Sequence, residues 1–129
     1  MGMTTATDRL GRLRRSLDAA LPAYLADLER LVNVDCGSYT KAGVDEVGTW
    51  VADRLAMLGA QVTRHAHAEL GDTVVGTFTR DPAAGEGPSV LLIGHLDTVF
   101  EPGTAAARPF GIRGDRAHGP GVSDMKAGL

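Results

Sequence analysis

Along the first quarter of the chain, Leu10, Leu13, Leu17, Leu21, Tyr24, Leu25, Leu28, Leu31 and Val32 recur mostly at three- and four-residue steps. That period lines one face of an amphipathic helix from Asp8 to Val34. Pro22 lies within it and, lacking an N–H, is expected to kink or restart it. Asn33 to Thr40 has no period and contains Asp35, Gly37 and Ser38, so it reads as a loop. A second stripe, Val44, Val47, Val51, Leu55 and Leu58, predicts a helix from about Lys41 to Leu58, with Gly59 placed to cap its C-terminus.

Beyond Gly59 the pattern changes. Gln61 to His67 and Thr73 to Thr79 alternate or carry β-branched residues, which predicts two strands around a turn at Gly71-Asp72. The segment from Asp81 to Pro88 is bounded by breakers and reads as a loop. Val90-Leu91-Leu92-Ile93 then forms a continuous apolar run ending at Gly94, the pattern of a strand covered on both faces of a sheet. Helices interleaved with strands predict an α/β layer structure, with helices packed on a mixed, mostly parallel sheet. No internal repeat or low-complexity tract interrupts it.

With 129 residues, 43% hydrophobic and 22% charged, the chain has ordinary globular composition. Aromatics are only 5%, so the core is expected to be aliphatic. Thirteen basic against 16 acidic residues give a net charge of −3. Without a basic stripe, nucleic acid is not an expected partner. Arg12, Arg14 and Arg15 read as a solvated helix face. The single Cys36 cannot close an internal disulfide and reads as a small, partly buried filler. The chain lacks a signal-peptide pattern and any run approaching the ~18 apolar residues of a membrane span. A soluble, cytoplasmic protein without membrane partners is the expectation. A nucleotide-binding α/β domain is disfavoured, because neither G-x-G-x-x-G after the first strand nor G-x-x-x-x-G-K-[ST] is present.

The chemistry-bearing residues gather in the last third. His95 and Asp97 follow directly on the apolar run, and ligand sites in open α/β sheets gather at the carboxyl ends of strands. In extended backbone, side chains two apart share a face, so Asp97 can accept the second ring N–H of His95 and leave the other nitrogen to a metal. The alternative is a hydrogen-bonded histidine at a strand end, with Asp97 capping the next turn. Asp124 lies 27 residues after Asp97, between the turn Gly119-Pro120-Gly121 and Met125 to Leu129, which reads as the first turn of a helix. Its carboxylate can bridge two metals about 3.5–4 Å apart, or serve as an N-cap. His65 and His67, two apart on an expected strand, read as exposed polar alternation. His118, beside the glycine-rich turn, receives no role.

The order of an apolar strand, Gly94-His95-Leu96-Asp97-Thr98-Val99-Phe100, a link containing Arg108-Pro109-Phe110, and Gly119-Pro120-Gly121-Val122-Ser123-Asp124-Met125-Lys126 closely resembles the M20 family of zinc metallopeptidases and amidohydrolases, especially its glutamate carboxypeptidase-like branch. Gly37-Ser38-Tyr39-Thr40-Lys41-Ala42-Gly43-Val44 also looks like that branch's loop into its second helix. The resemblance implies that residues 1–129 are the N-terminal part of a single zinc-hydrolase catalytic domain. It implies two Zn²⁺ ions in the complete site, a donor set that would also accept Co²⁺ or Mn²⁺. By that resemblance His95 is a terminal metal ligand, Asp97 is the catalytic-site residue that orients it, and Asp124 bridges both ions.

The same resemblance implies a glutamate base, further acidic and histidine ligands, and a dimerisation domain, none of which has a candidate here. The complete enzyme would be a homodimer acting on a small peptide or N-acyl amino acid, releasing a C-terminal residue such as glutamate. The short chain is expected to be inactive alone. The rival expectation is a non-catalytic metal-binding or interaction module.

Overall fold

The computed structural model describes residues 6–79 and 87–129. Most of the loop expected from Asp81 to Pro88 lies outside the described residues. Helix α1 spans Ala6–Val32 and runs through Pro22 without a break in its assignment. The proline lies on a stretch exposed on all sides, where water can bond the carbonyl that its missing N–H leaves free. Helix α2 spans Lys41–Met57, close to the expected range. It ends as anticipated, with the Gly59 N–H donating to the Ala56 carbonyl and the Ala60 N–H to that of Leu55.

Strands β1 (Gln61–His65) and β2 (Thr73–Thr77) form an antiparallel pair with Thr63 opposite Val75. The hairpin docks on α2 through both charge and apolar contact. The Lys41 ammonium on α2 sits 2.9 Å from Asp45 and 2.8 Å from Asp72, while the Asp72 N–H donates to Asp45 Oδ1. A single-turn helix, α3 (Thr104–Ala107), follows the site segment. The short antiparallel pair β3 (Gly111–Arg113) and β4 (Arg116–His118) and a 3₁₀ turn at Lys126–Gly128 complete the described elements.

The α/β class therefore stands, but pairing differs in detail from the mostly parallel sheet expected. Among the described residues both sheets are antiparallel pairs, and parallel pairing occurs as one bridge between Gly37 and Thr98. The larger correction concerns Val90-Leu91-Leu92-Ile93. It forms no strand and is 81–89% exposed. A run of this composition becomes a covered strand only when neighbouring strands supply its hydrogen bonds, and no described strand lies alongside it.

The core is small and lies where the C-terminal end of α1 meets α2. Leu28, Leu31 and Val32 of α1, Cys36 from the connecting loop, Val44 and Val47 of α2, and Ala105 of α3 are buried. Each buried Leu or Val stabilises by roughly 1.5–3 kcal/mol over its exposed state. The helix pair is thus held at this end. The other half of the α1 stripe, from Leu10 to Tyr24, stays exposed, and Leu58 at the far end of the α2 stripe is exposed as well.

Candidate metal centre

Two loops and one turn converge beside this core. The loop after α1 pairs with the segment after the apolar run: the Thr98 N–H donates to the Cys36 carbonyl at 2.8 Å, and the Ser38 N–H to the Thr98 carbonyl at 3.0 Å. Gly37 permits this approach, because a Cβ at that position would lie 2.4 Å from the Phe100 carbonyl oxygen. The bridge sets Ser38 against Asp97, and the Ser38 hydroxyl donates to Asp97 Oδ2 in a short hydrogen bond.

His95 stands between two carboxylates. Its Nδ1 is 3.1 Å from Asp97 Oδ1 and also 3.1 Å from the Asp97 carbonyl, while Nε2 is 2.8 Å from Asp124 Oδ1. The Asp124 carboxylate, then that of Asp97 and its backbone carbonyl, raise the imidazole pKa above its ordinary 6.5 against an opposing desolvation. With both nitrogens facing oxygen acceptors, the doubly protonated ring is favoured in the absence of a metal. The backbone N–H of His95 donates to Met125 Sδ at 3.2 Å, tying the two segments together on the other side.

Asp124 is presented by the turn from Gly119 to Lys126. Gly121 adopts φ +75°, and a Cβ there would fall 2.6 Å from Thr98 Cγ2, so the turn can lie directly on the His95 segment. The Lys126 N–H closes the turn onto the Gly121 carbonyl at 2.9 Å. The Lys126 side chain is 3% exposed, and its ammonium donates to the Leu31 carbonyl at 2.7 Å and the Val34 carbonyl at 3.0 Å. It thereby adds a donor to the Leu31 carbonyl, which also accepts from the Val34 N–H at 3.3 Å, and supplies one to the Val34 carbonyl just past the end of α1. The Asp124 side chain, by contrast, is 88% exposed and caps no helix.

His95, Asp97, Val99, Phe100 and Asp124 line a cleft of about 510 Å³. Its donor set suits a zinc-type ion only in part. Zn–N and Zn–O bonds of about 2.0–2.2 Å at a tetrahedral angle put two ligand atoms roughly 3.3 Å apart. The 2.8 Å between His95 Nε2 and Asp124 Oδ1 is a hydrogen-bond spacing, so the pair must open by about 0.5 Å to admit an ion. Nothing packs around the exposed Asp124 carboxylate to resist that. Asp97 lies behind the ring, on the Nδ1 side, and among the described residues no group of three His, Cys, Asp or Glu side chains is poised around one ion.

The remaining expected polar residues fall away from this cleft. His65 is exposed on β1, and His67 lies beyond it, where its Nε2 meets Thr73 Oγ1 at 3.1 Å. His118 is exposed on β4 and does not line the cleft. Cys36 is more deeply buried than expected, its thiol donating weakly to the Leu96 carbonyl at 3.4 Å. Ser38 and Lys126 have evident structural roles at the site that their own sequence segments do not announce. Nothing local marks a serine as a carboxylate partner 59 positions away, or a lysine as a buried one.

A carboxylate-oriented imidazole facing a second carboxylate, carried by loops of an α/β frame, is the ligand chemistry of a metal-dependent hydrolase. No family model matches the chain. It is 38% identical over 109 residues to carboxypeptidase G2 of Pseudomonas sp. (strain RS-16), an alignment that covers 83% of the chain and 25% of that protein. It is 33% identical over 89 residues to the cysteinylglycine-S-conjugate dipeptidase of Corynebacterium striatum, covering 66% of the chain and 19% of that protein. The chain belongs to the M20 family of zinc peptidases, and it spans about a quarter or less of the length of these relatives.

Proposed function

We propose that the chain is the N-terminal part of the catalytic domain of an M20 hydrolase that cleaves an amide or peptide bond. The observation that carries this reading is His95 held between Asp97 and Asp124 at the cleft. His95, through Nε2, and Asp124 would hold zinc. Asp97 stays on Nδ1 and keeps that nitrogen protonated, so that the lone pair is presented at Nε2. When bound, the ion supplies Lewis-acid polarisation of a carbonyl and a more acidic water.

The chain's own residues do the rest of what can be assigned. Asp124, a carboxylate with two oxygens, would also be the residue to hold a second ion. Val99 and Phe100 give the cleft an apolar wall on which a substrate side chain can rest. The relatives are named a carboxypeptidase and a dipeptidase, which supports a small peptide as substrate. An N-acyl amino acid, and a C-terminal glutamate as the residue released, belong to the proposal and are the substrates to test first. Zinc takes about four ligands, and His95 and Asp124 supply two. A general base, typically worth about 10²–10⁴-fold in rate, has no candidate at the cleft among the described residues. The chain by itself is therefore inactive.

The test is hydrolysis of N-acyl-glutamate and dipeptide substrates with added Zn²⁺. The 129-residue chain should show no turnover. Turnover by this chain that His95→Ala abolishes would refute its inactivity, and zinc binding unaffected by His95→Ala would refute the site. Among the described residues no helix is long and apolar enough to cross a membrane.

A further inference from the structure

We propose that Ser38 is a positioning residue of this metal centre, acting on His95 through Asp97. The inference rests on the metal-site reading above. An aspartate carboxylate rotates easily about its last side-chain bond, since that torsion is broad and roughly two-fold. Left to itself, Asp97, whose side chain is 35% exposed, would exchange its oxygens between His95 and water.

Ser38 removes that freedom. Its hydroxyl donates to Asp97 Oδ2, which leaves Oδ1 committed to His95 Nδ1. The serine is itself fixed from two directions. Its N–H donates to the Thr98 carbonyl at 3.0 Å, and the adjoining Gly37 bridges Thr98 in parallel register. Ser38, Asp97 and His95 thus form a linear relay. Its outer end belongs to the loop between the two core helices, and its inner end is the imidazole nitrogen facing Asp124. Losing the hydroxyl returns the carboxylate to its mobile state and loosens the ring that must meet the ion.

Partners of this outer kind typically cost 10–100-fold in metal affinity when removed. Ser38 acts one bond further out, so the lower end of that range is expected. Zinc affinity is measured by competition with a chromophoric chelator at pH 7.5, for the wild-type chain and for Ser38→Ala, Ser38→Thr and His95→Ala, with a thermal melt of each. The expected result is about 10-fold weaker binding in Ser38→Ala, recovery in Ser38→Thr, which restores the donor, and loss in His95→Ala. Equal affinity in Ser38→Ala and wild type, with binding still lost in His95→Ala, would overturn the role of Ser38 while leaving the site intact. Binding that ignores His95→Ala, or is absent in wild type, would overturn the site and the relay together. If Ser38→Ala melts early, Ser38→Val takes its place. It has the shape of the threonine variant without the hydroxyl donor, so it should bind like the alanine variant. Wild-type affinity in Ser38→Val would overturn the proposal.

Discussion

Replacing Lys126 with methionine tests whether a buried ammonium fastens the Asp124 turn to α1. The side chain keeps its length and loses its charge and donors. Two hydrogen bonds disappear, at 2.7 Å to Leu31 and 3.0 Å to Val34; the Leu31 carbonyl keeps the Val34 N–H at 3.3 Å, whereas the Val34 carbonyl loses the ammonium as its partner. Hydrogen bonds to a charged group contribute about 1.5–3 kcal/mol each. The loss is offset in part because methionine no longer carries a charge into a site only 3% exposed. The net cost is about 2–4 kcal/mol. An unfolding entropy near 2.1 cal/mol/K per residue turns that into a fall in Tm of roughly 7–15 °C for a chain of this length. Urea unfolding and thermal melts followed by circular dichroism at 222 nm measure both quantities. A loss below about 0.5 kcal/mol, or a shift under about 2 °C, would show that the ammonium is a passive filler and refute the latch.

The other predictions address charge and surface. In the metal-free protein, His95 should titrate above 6.5 by NMR, and Asp124→Asn, which removes the largest cause, should bring the midpoint down. Because the folded pKa is raised, the stability that His95 contributes is fully present below 6.5 and is lost as pH rises through the folded value. Zinc must displace the same proton, so zinc affinity should weaken as pH falls through that value; a pH-independent affinity would contradict the geometry. Asp35 accepts from the Ala105 and Gly103 N–H groups, which lower its pKa below 3.8. Its contribution to stability should persist at neutral pH and be lost as pH drops through that lowered value, a loss absent from the acid melts of Asp35→Asn. Leu92, 89% exposed in an apolar run, should promote association between copies. Leu92→Lys should shift the chain toward monomer in light scattering without lowering its Tm.

Legibility tracked sequence distance. The helices were readable because their signals are local: the 3.6-residue stripe of α1, the Val44 and Val47 spacing of α2, and the glycine that ends it. The β1–β2 hairpin followed from alternation around Gly71-Asp72, although its strands stop at His65 and Thr77, short of the expected His67 and Thr79. The Val90–Ile93 run marks the limit of local pattern. Composition reports that these residues favour burial, while burial itself depends on strands from elsewhere. Pro22 does not interrupt α1, since an exposed helix tolerates it where a packed one would not.

Residue identity alone carried the chemistry proposed for the site. His95 and Asp97 sit two apart, Asp124 follows a glycine-rich turn, and this order places the chain in its family, because imidazole and carboxylate chemistry is carried by residue identity. Which groups hold those side chains in place depends on packing. Ser38 reaches Asp97 across 59 positions, and the Lys126 ammonium reaches Leu31 across 95. Hydrogen bonds act over about 3 Å of space, and sequence separation does not constrain them. Such partners become visible only once packing of α1 against α2 has brought the loops to one point.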